Sequence, residues 1–362
     1  MTEPGAPPDS DLDSDLDQAL ARFQRTGLEW AEGLANHGPM AVEALQQLGH
    51  PALIEGFVDS YVPRMPPLVA GEPLDAGARA EALGDPRRLP DWIATYDREL
   101  AARSWRELLA SEVPRLLPGL FAASAHALLR VAHAVRAIEA RDTAVRRREL
   151  AMGLAYWAGR YQELPGVPGA RPRRGQGIAE SFAALPRVPP ERRRPGLFSD
   201  AVRVLADDFA DCIERWDPEA ARGSDAVHGI CCESARLYLE NPSARIAYVH
   251  CVTAPSALRL FAHHLDDDTR ARAVGYALQA ALALHAVSAG PAPAGPPDPE
   301  TARLATDAAE IRYRAACSLE EHAIKMAEAC LREHAVRPDP VLPLAAADAA
   351  IHLDGGGGRG AR

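Results

Sequence analysis

The sequence contains almost no lysine: Lys325 is the only one among its 40 cationic residues, and the other 39 are arginine. A buried lysine amine can lose its proton, whereas an arginine guanidinium in a protein cannot. A neutral amine can attack a carbonyl group, act as a base, or take up CO₂ to form a carbamate, which is a bidentate oxygen ligand for a metal. We therefore treat Lys325 as a candidate functional residue. The alternative is an ordinary surface lysine.

The chain also lacks the patterns of several protein classes. Its six cysteines form no C-x-x-C pair, which argues against the common zinc modules and favours reduced thiols. A net charge of −10 without a dominant basic face argues against nucleic-acid binding. The N-terminus shows no signal-peptide pattern, and no apolar run approaches the length of a membrane span. We expect a cytoplasmic protein that binds neither nucleic acid nor membrane.

Alanine and leucine dominate the composition, while β-branched runs, internal repeats and convincing strands are missing. This composition predicts an all-α protein, with stacked antiparallel helices around a central histidine-lined pocket. We expect one helical domain over residues 13–335. The other predicted segments are a disordered tail over 1–12, a loop or lid over about 165–197, a linker over about 290–299, and a C-terminal tail over 336–362.

Five histidines lie in apolar neighbourhoods of predicted helices. His37 follows a candidate helix cap, Asn36, and His126 and His133 lie in a helix predicted over 119–140. His250 precedes a predicted break at Pro255. His322 lies three residues before Lys325, on the same face of a long final helix predicted over 301–334.

The case for these five histidines is collective. A lone histidine on an apolar helix is more often a core residue than a ligand, and we assign His228, His263 and His285 to that class. Burying several imidazoles without partners would cost about 1–3 kcal/mol each, and a shared metal or a polar substrate would remove that cost. Tyr156, Trp157 and Tyr248 are candidates for the wall of a substrate pocket, although aromatic residues on helices commonly belong to the core.

Five segments, in this order along the chain, resemble the questin oxidase family, and the resemblance covers the chain from about residue 15 to 335. They are N-H-G-P-M (36–40), A-H-A-L-L-R-V-A-H-A-V-R (125–136), L-A-Y-W-A (154–158), V-H-C-V-T-A-P (249–255) and E-H-A-I-K-M-A-E-A-C (321–330). The family includes fungal enzymes of anthraquinone and related polyketide pathways. Its activities are Baeyer–Villiger-type oxygen insertion, described as using NADPH, and ring cleavage at a non-haem iron held by four histidines and a carboxylated lysine.

The resemblance implies an oxidoreductase that uses O₂ to insert oxygen into, or cleave, the ring of an aromatic polyketide resembling an anthraquinone. It implies Fe(II) at His37, His126 and His250, with Lys325 as the carbamylated ligand. The fourth histidine is His133 or His322, and both alternatives remain open. NADPH is implied by the family alone, because no G-x-G-x-x-G motif follows a predicted strand. The rival interpretations are a metal-free NADPH-dependent monooxygenase, a non-catalytic helical protein that binds an aromatic ligand, and a histidine-rich metal hydrolase.

Overall fold

The computed structural model describes residues 9–221, 225–290, 295 and 297–353. Almost all regular structure in these residues is helical, so the predicted all-α fold is confirmed. The exception is one short antiparallel hairpin of two strands, β1 (Glu29–Trp30) and β2 (Leu34–Ala35). The sequence analysis did not predict these strands, since two residues are too few to show an alternating pattern.

The first half of the chain contains eight α-helices that pack on one another. Their bounds are α1 (Asp9–Phe23), α2 (Gly38–Gln47), α3 (Ile54–Tyr61), α4 (Ala76–Ala82), α5 (Leu89–Ala102), α6 (Trp105–Leu116), α7 (His126–Ala140) and α8 (Ala144–Gly159). The predicted loop or lid at 165–197 follows α8 and contains one further short helix, α9 (Ile178–Ala184).

The second half continues with α10 (Phe198–Ala201), α11 (Asp207–Glu214), α12 (Pro218–Ala221), α13 (Ala226–Glu240), α14 (Arg245–Ala257) and α15 (Asp267–Ser288). The last four helices are α16 (Pro299–Leu304), α17 (Ala308–Cys317), α18 (Glu321–Val336) and α19 (Val341–His352). Polar side chains cap many helix starts. Ser104 and Glu107 form a reciprocal capping box at α6, and Asp225 and Asp266 accept backbone N–H bonds at α13 and α15.

Several predicted boundaries differ from the structure. The region 301–334 is three helices instead of one, because Asp307 and Glu320 cap new helices within it. Helix α14 continues through Pro255, where a break was predicted. The predicted C-terminal tail contains helix α19, which buries Leu342 against α18. Residues 9–12 of the predicted N-terminal tail belong to α1, whereas 1–8, 354–362 and part of the predicted linker lie outside the described residues.

Four helices form a closed ring in the middle of the molecule. Helix α2 packs against α7 and α18, and α14 packs against the same two helices from the other side. Each of these four helices carries a histidine that the sequence analysis selected: His37 precedes α2, His126 begins α7, His250 lies on α14 and His322 lies on α18. The ring therefore determines which of these side chains can meet.

The remaining helices pack around this ring through a continuous hydrophobic core. Helix α8 lies between α5 and α7, and α15 and α19 cover α14 and α18. Several buried charges are paired, as in the ion pair between Arg130 of α7 and Glu149 of α8. In the described part of the chain, we find no helix with both the length and the apolar character needed to cross a membrane.

Candidate metal centre

The ring of helices brings five of the predicted residues together: His37, His126, His250, His322 and Lys325. The rings of His37 and His126 are stacked with 4.4 Å between their centroids. His322 meets His37 edge-on at 4.7 Å, and His250 meets His126 at 4.5 Å. One nitrogen from each of His37, His126 and His322 can be chosen so that the three atoms lie within 4.8 Å of one another. This spacing allows a single metal ion to contact all three.

Several polar atoms of the cluster are buried and have no hydrogen-bond partner in the structure. They are Nδ1 of His37, Nε2 of His126, Nδ1 of His250 and Nζ of Lys325. A buried polar group without a partner costs about 1–3 kcal/mol, so four in one place are a large unfavourable contribution. A shared cation would satisfy nitrogen lone pairs of this kind. The cluster therefore fits a bound metal better than a plain hydrophobic core.

Two hydrogen bonds fix which ring nitrogen carries the proton. Nδ1 of His126 lies 2.5 Å from the backbone oxygen of Ala123, which can only accept, so Nδ1–H is the donor and the buried Nε2 has a free lone pair. Nδ1 of His322 lies 2.8 Å from Oε1 of Glu320, and an ionised carboxylate likewise only accepts. Hydrogen bonds of this kind, to the ring nitrogen that does not bind the metal, orient the histidine ligands of metals in proteins. In their neutral forms both rings therefore carry the proton on Nδ1 and leave the lone pair on Nε2.

The local electrostatics keep three of the four imidazoles neutral and lower the pKa of the lysine. Burial lowers the pKa of His37, His126 and His250 well below the ordinary imidazole value, and neighbouring cationic groups lower it further. Burial also lowers the pKa of Lys325 to about 8, although the carboxylates of Glu321 and Glu320 oppose this shift. At neutral pH these three imidazoles are therefore uncharged, and about a tenth of the lysine amine is neutral. These are the protonation states in which the nitrogens can bind a metal and the amine can react with CO₂.

Two carboxylates stand at the edge of the cluster. Burial raises the pKa of Glu320, but the hydrogen bond and charge of His322 outweigh this effect, and the pKa ends below its usual value. Glu320 also accepts the backbone N–H of Ala323 and so caps α18. Oε1 of Glu321 lies 3.5 Å from Nδ1 of His37. Negative charge is thus available to balance a cation.

The backbone is strained next to two of the histidines. Ala123, Ser124 and Ala125 have φ values of 49°, 58° and 67°, the left-handed region, immediately before His126. Leu319, three residues before His322, has a φ of 51°. Residues other than glycine adopt this conformation at a cost of about 1–3 kcal/mol each, and such positions concentrate at functional sites. The turn at Ala123 also presents its carbonyl oxygen to His126.

His133, one of the two alternatives for the fourth histidine, does not join the cluster. Its Nδ1 lies 2.6 Å from Oε2 of Glu43, and Arg136 binds the same carboxylate. Helix α7 begins at His126, so His133 lies two turns further along the axis and meets a different part of α2. The structure places His322 in the cluster and assigns His133 to a buried ion-pair network.

The three aromatic candidates are core residues with partners of their own. The hydroxyl of Tyr156 donates to Glu29, the indole N–H of Trp157 donates to the backbone oxygen of Gly119, and the hydroxyl of Tyr248 lies 2.7 Å from Nδ1 of His285. All three are fully buried. None of them lines the large groove described next, so the predicted substrate role finds no support in their positions.

A groove of about 510 Å³ lies beside the cluster, and two of its lining residues contact cluster histidines, although none of the four histidines nor Lys325 lines it. Its wall includes Phe198, whose ring packs edge-on against His250 at 5.8 Å, and Glu320, the partner of His322. The remaining lining residues are Pro242, Ser243, Ala244, Arg245, Ile246, Ala247, Ser288, His352 and Leu353. A groove of this size accommodates a small organic molecule.

The sequence analysis missed three features. They are Phe198 beside His250, Glu320 as the hydrogen-bond partner that orients His322, and the left-handed turn at 123–125. Glu320 had a usable signal, since an acid two residues before a candidate ligand can orient it. The turn had no signal, because A-A-S-A contains no glycine to mark left-handed backbone. Phe198 approaches His250 only through the tertiary fold.

The fold and the cluster together define an all-α protein with a buried site of four histidines and one lysine. No family model matches the chain, and no curated protein gives a significant match.

Proposed function

We propose that this chain is an oxidoreductase of the questin oxidase type, with a non-haem iron held by His37, His126, His250, His322 and a carbamylated Lys325. It uses O₂ to insert oxygen into, or cleave, the ring of an aromatic polyketide similar to an anthraquinone. The observation that carries the proposal is the convergence of four imidazoles and the only lysine of the chain, with four of their nitrogens buried and unpartnered.

The donor set suits iron. Imidazole nitrogens together with an anionic oxygen ligand are typical of divalent iron, zinc, copper and nickel sites, whereas calcium and magnesium prefer oxygen alone. Ferrous iron held by these residues would supply the activation of O₂ that an oxygenase requires. The resemblance of the motifs to the questin oxidase family favours iron over the other metals.

Lys325 has the properties that carbamylation requires. The neutral amine attacks CO₂, forms a C–N bond and releases one proton, which leaves an anionic carbamate. With a pKa of about 8, roughly a tenth of the amine is neutral at pH 7 even before a metal draws the equilibrium further. Arginine could not react in this way, and that difference explains a single lysine in a chain whose other cations are arginine.

The groove supplies a place for an aromatic substrate. Phe198 offers an apolar ring beside His250, and Pro242, Ala244 and Ile246 add apolar surface. A planar substrate stacked on Phe198 would hold its reacting carbon near the cluster. Glu320 stays ionised because its pKa is lowered, so it holds the His322 proton at Nδ1, and it is also one of the residues that line the groove. We place the protein in the cytoplasm, where its six free thiols would remain reduced.

The test combines metal analysis with oxygen uptake. Purified full-length protein, Lys325→Ala and Lys325→Arg are analysed by elemental mass spectrometry, and O₂ consumption is followed with hydroxyanthraquinones, with and without NADPH. We expect near-stoichiometric iron in the wild type, at least about tenfold less in both variants, and a parallel loss of substrate-dependent O₂ uptake. Equal iron and equal uptake in all three proteins would remove Lys325 from the site.

The same experiment separates the rival functions. O₂ uptake that requires NADPH in protein without iron would support the metal-free monooxygenase. Tight binding of a hydroxyanthraquinone without any O₂ uptake, in protein with or without iron, would support a binding protein. The groove explains aromatic binding in both cases, so metal content and O₂ consumption are the deciding measurements.

A further inference from the structure

A second cluster of metal-binding side chains lies away from the four histidines. His228 and Cys232 are four residues apart on α13 and share one helix face, with 3.3 Å between Nε2 and Sγ. Asp339 approaches them from the connection between α18 and α19. A nitrogen, a sulfur and a carboxylate oxygen from these three residues lie within 4.8 Å of one another.

The two ring nitrogens of His228 face different neighbours: Nε2 contacts Cys232, and Nδ1 lies on the side of Glu333. The side chain is buried, yet its Nδ1 has no hydrogen-bond partner. The nearest carboxylate oxygen, Oε2 of Glu333, lies 3.8 Å away, too far for a hydrogen bond. Glu333 is itself held by Ser256 and Arg259. A carboxylate behind the second nitrogen is the usual arrangement around a metal-bound histidine, and a small rotation of the ring would close this contact.

The same residues could instead be read as a nucleophilic cysteine with a histidine base. The position of Asp339 argues against this reading. Burial and the neighbouring carboxylate raise the pKa of Cys232 to about 12, whereas a nucleophilic cysteine needs surroundings that stabilise the thiolate. A divalent cation would replace the thiol proton, and its charge would stabilise the thiolate beside the Asp339 carboxylate.

We propose that His228, Cys232 and Asp339 form a second metal site for a borderline-soft divalent cation of the Zn²⁺ class. Thiolate, imidazole and carboxylate are the three ligand types that zinc takes in proteins, and three protein ligands leave the fourth tetrahedral position for water. Binding releases the thiol proton of Cys232 to solvent and forms the metal–sulfur bond. The bound ion links the α18–α19 connection to α13. It thereby restrains the C-terminal end of α18, the helix that carries His322 and Lys325.

Cobalt is the probe that separates this site from the histidine cluster. Full-length protein is stripped with a chelator and titrated with Co²⁺, and the thiolate-to-cobalt charge-transfer absorption is recorded. Only the site containing Cys232 offers a sulfur ligand, so this absorption does not report on the iron centre proposed above. We expect one equivalent of Co²⁺ to produce the band in wild type, in Lys325→Ala and in the control Cys317→Ala, whose cysteine is exposed elsewhere on the surface. Cys232→Ala should lose the band.

Competition with Zn²⁺ gives the second readout. Zn²⁺ should abolish the cobalt band in wild type and raise the thermal midpoint of the stripped protein, and the rise should be smaller in Cys232→Ala, where only the histidine cluster remains to bind the ion. Asp339→Asn should weaken binding at least about tenfold while keeping the fold, which is checked by circular dichroism without metal. Absence of the band in wild type, or its persistence in Cys232→Ala, would overturn the proposal.

Discussion

The imidazole rings of His37 and His126 lie stacked, with 4.4 Å between their centroids and 26° between their planes. Each ring stands at the start of a helix: His37 immediately precedes α2, and His126 is the first residue of α7. The N-terminus of a helix carries a partial positive charge, which adds to burial in disfavouring a protonated imidazole. The two rings are therefore held neutral, with their nitrogens available as ligands.

The first prediction concerns the fourth histidine. His322→Gln should lose iron, because it removes a nitrogen from the cluster, whereas His133→Gln should retain it, because His133 contacts Glu43 and lies outside the cluster. Glutamine can preserve a hydrogen bond to Glu43, so the control should also stay folded. We expect at least about a tenfold difference in iron content between the two variants, measured by elemental mass spectrometry on matched preparations. The reverse order would make His133 the ligand.

The second prediction concerns the stability cost of Lys325 in metal-free protein. Burial lowers its pKa from 10.5 to about 8. The charged amine is therefore less stable in the folded state than in the unfolded chain, where water solvates it. The unfolded state binds more protons between these two values, and stability therefore rises with pH across that interval. Below pH 8 the buried amine lowers the free energy of unfolding by its full amount, about 3 kcal/mol.

Lys325→Met keeps the volume and removes the charge. In the presence of a chelator it should be more stable than wild type by about 3 kcal/mol at pH 7, and the difference should shrink as the pH rises from 8 towards 10.5. Urea unfolding at pH 7 and pH 10 measures both values. A variant less stable than wild type at pH 7 would assign Lys325 a structural role.

The third prediction tests the strained backbone before α18. Leu319 follows the end of α17 with a φ of 51° and exposes 37% of its surface. Leu319→Gly and Leu319→Ala remove the same side chain, but only glycine adopts this conformation without strain. We expect the glycine variant to be more stable than the alanine variant by about 1 kcal/mol in urea unfolding. Equal stabilities would show that the left-handed conformation is not strained here.

The fourth prediction concerns the groove. Phe198→Ala should raise the KM for a hydroxyanthraquinone about two- to tenfold, because an aromatic stacking contact contributes about 0.5–1.5 kcal/mol. Iron content should stay unchanged, since Phe198 packs against His250 but offers no ligand atom. Steady-state O₂ consumption and metal analysis on the same preparation check both statements. An unchanged KM would place the substrate elsewhere.

The sequence by itself determined the all-α class and much of the candidate site. Abundant alanine and leucine and the scarcity of β-branched runs predict helices locally, so the fold class needs no tertiary information. The pairing of His322 with Lys325 follows from a spacing of three residues on one helix. The scarcity of lysine identified Lys325 because arginine could replace it anywhere that only charge was needed.

Only the tertiary structure decided which histidines meet. His126 and His133 share a helix face, but two turns of α7 separate them by about 10 Å along the axis, so one reaches the cluster and the other reaches Glu43. His228 was assigned to the core, and its approach to Asp339 was not visible because more than a hundred residues separate them in the chain. Helical periodicity fixes the face on which a side chain lies, whereas contacts between distant segments depend on how the helices pack.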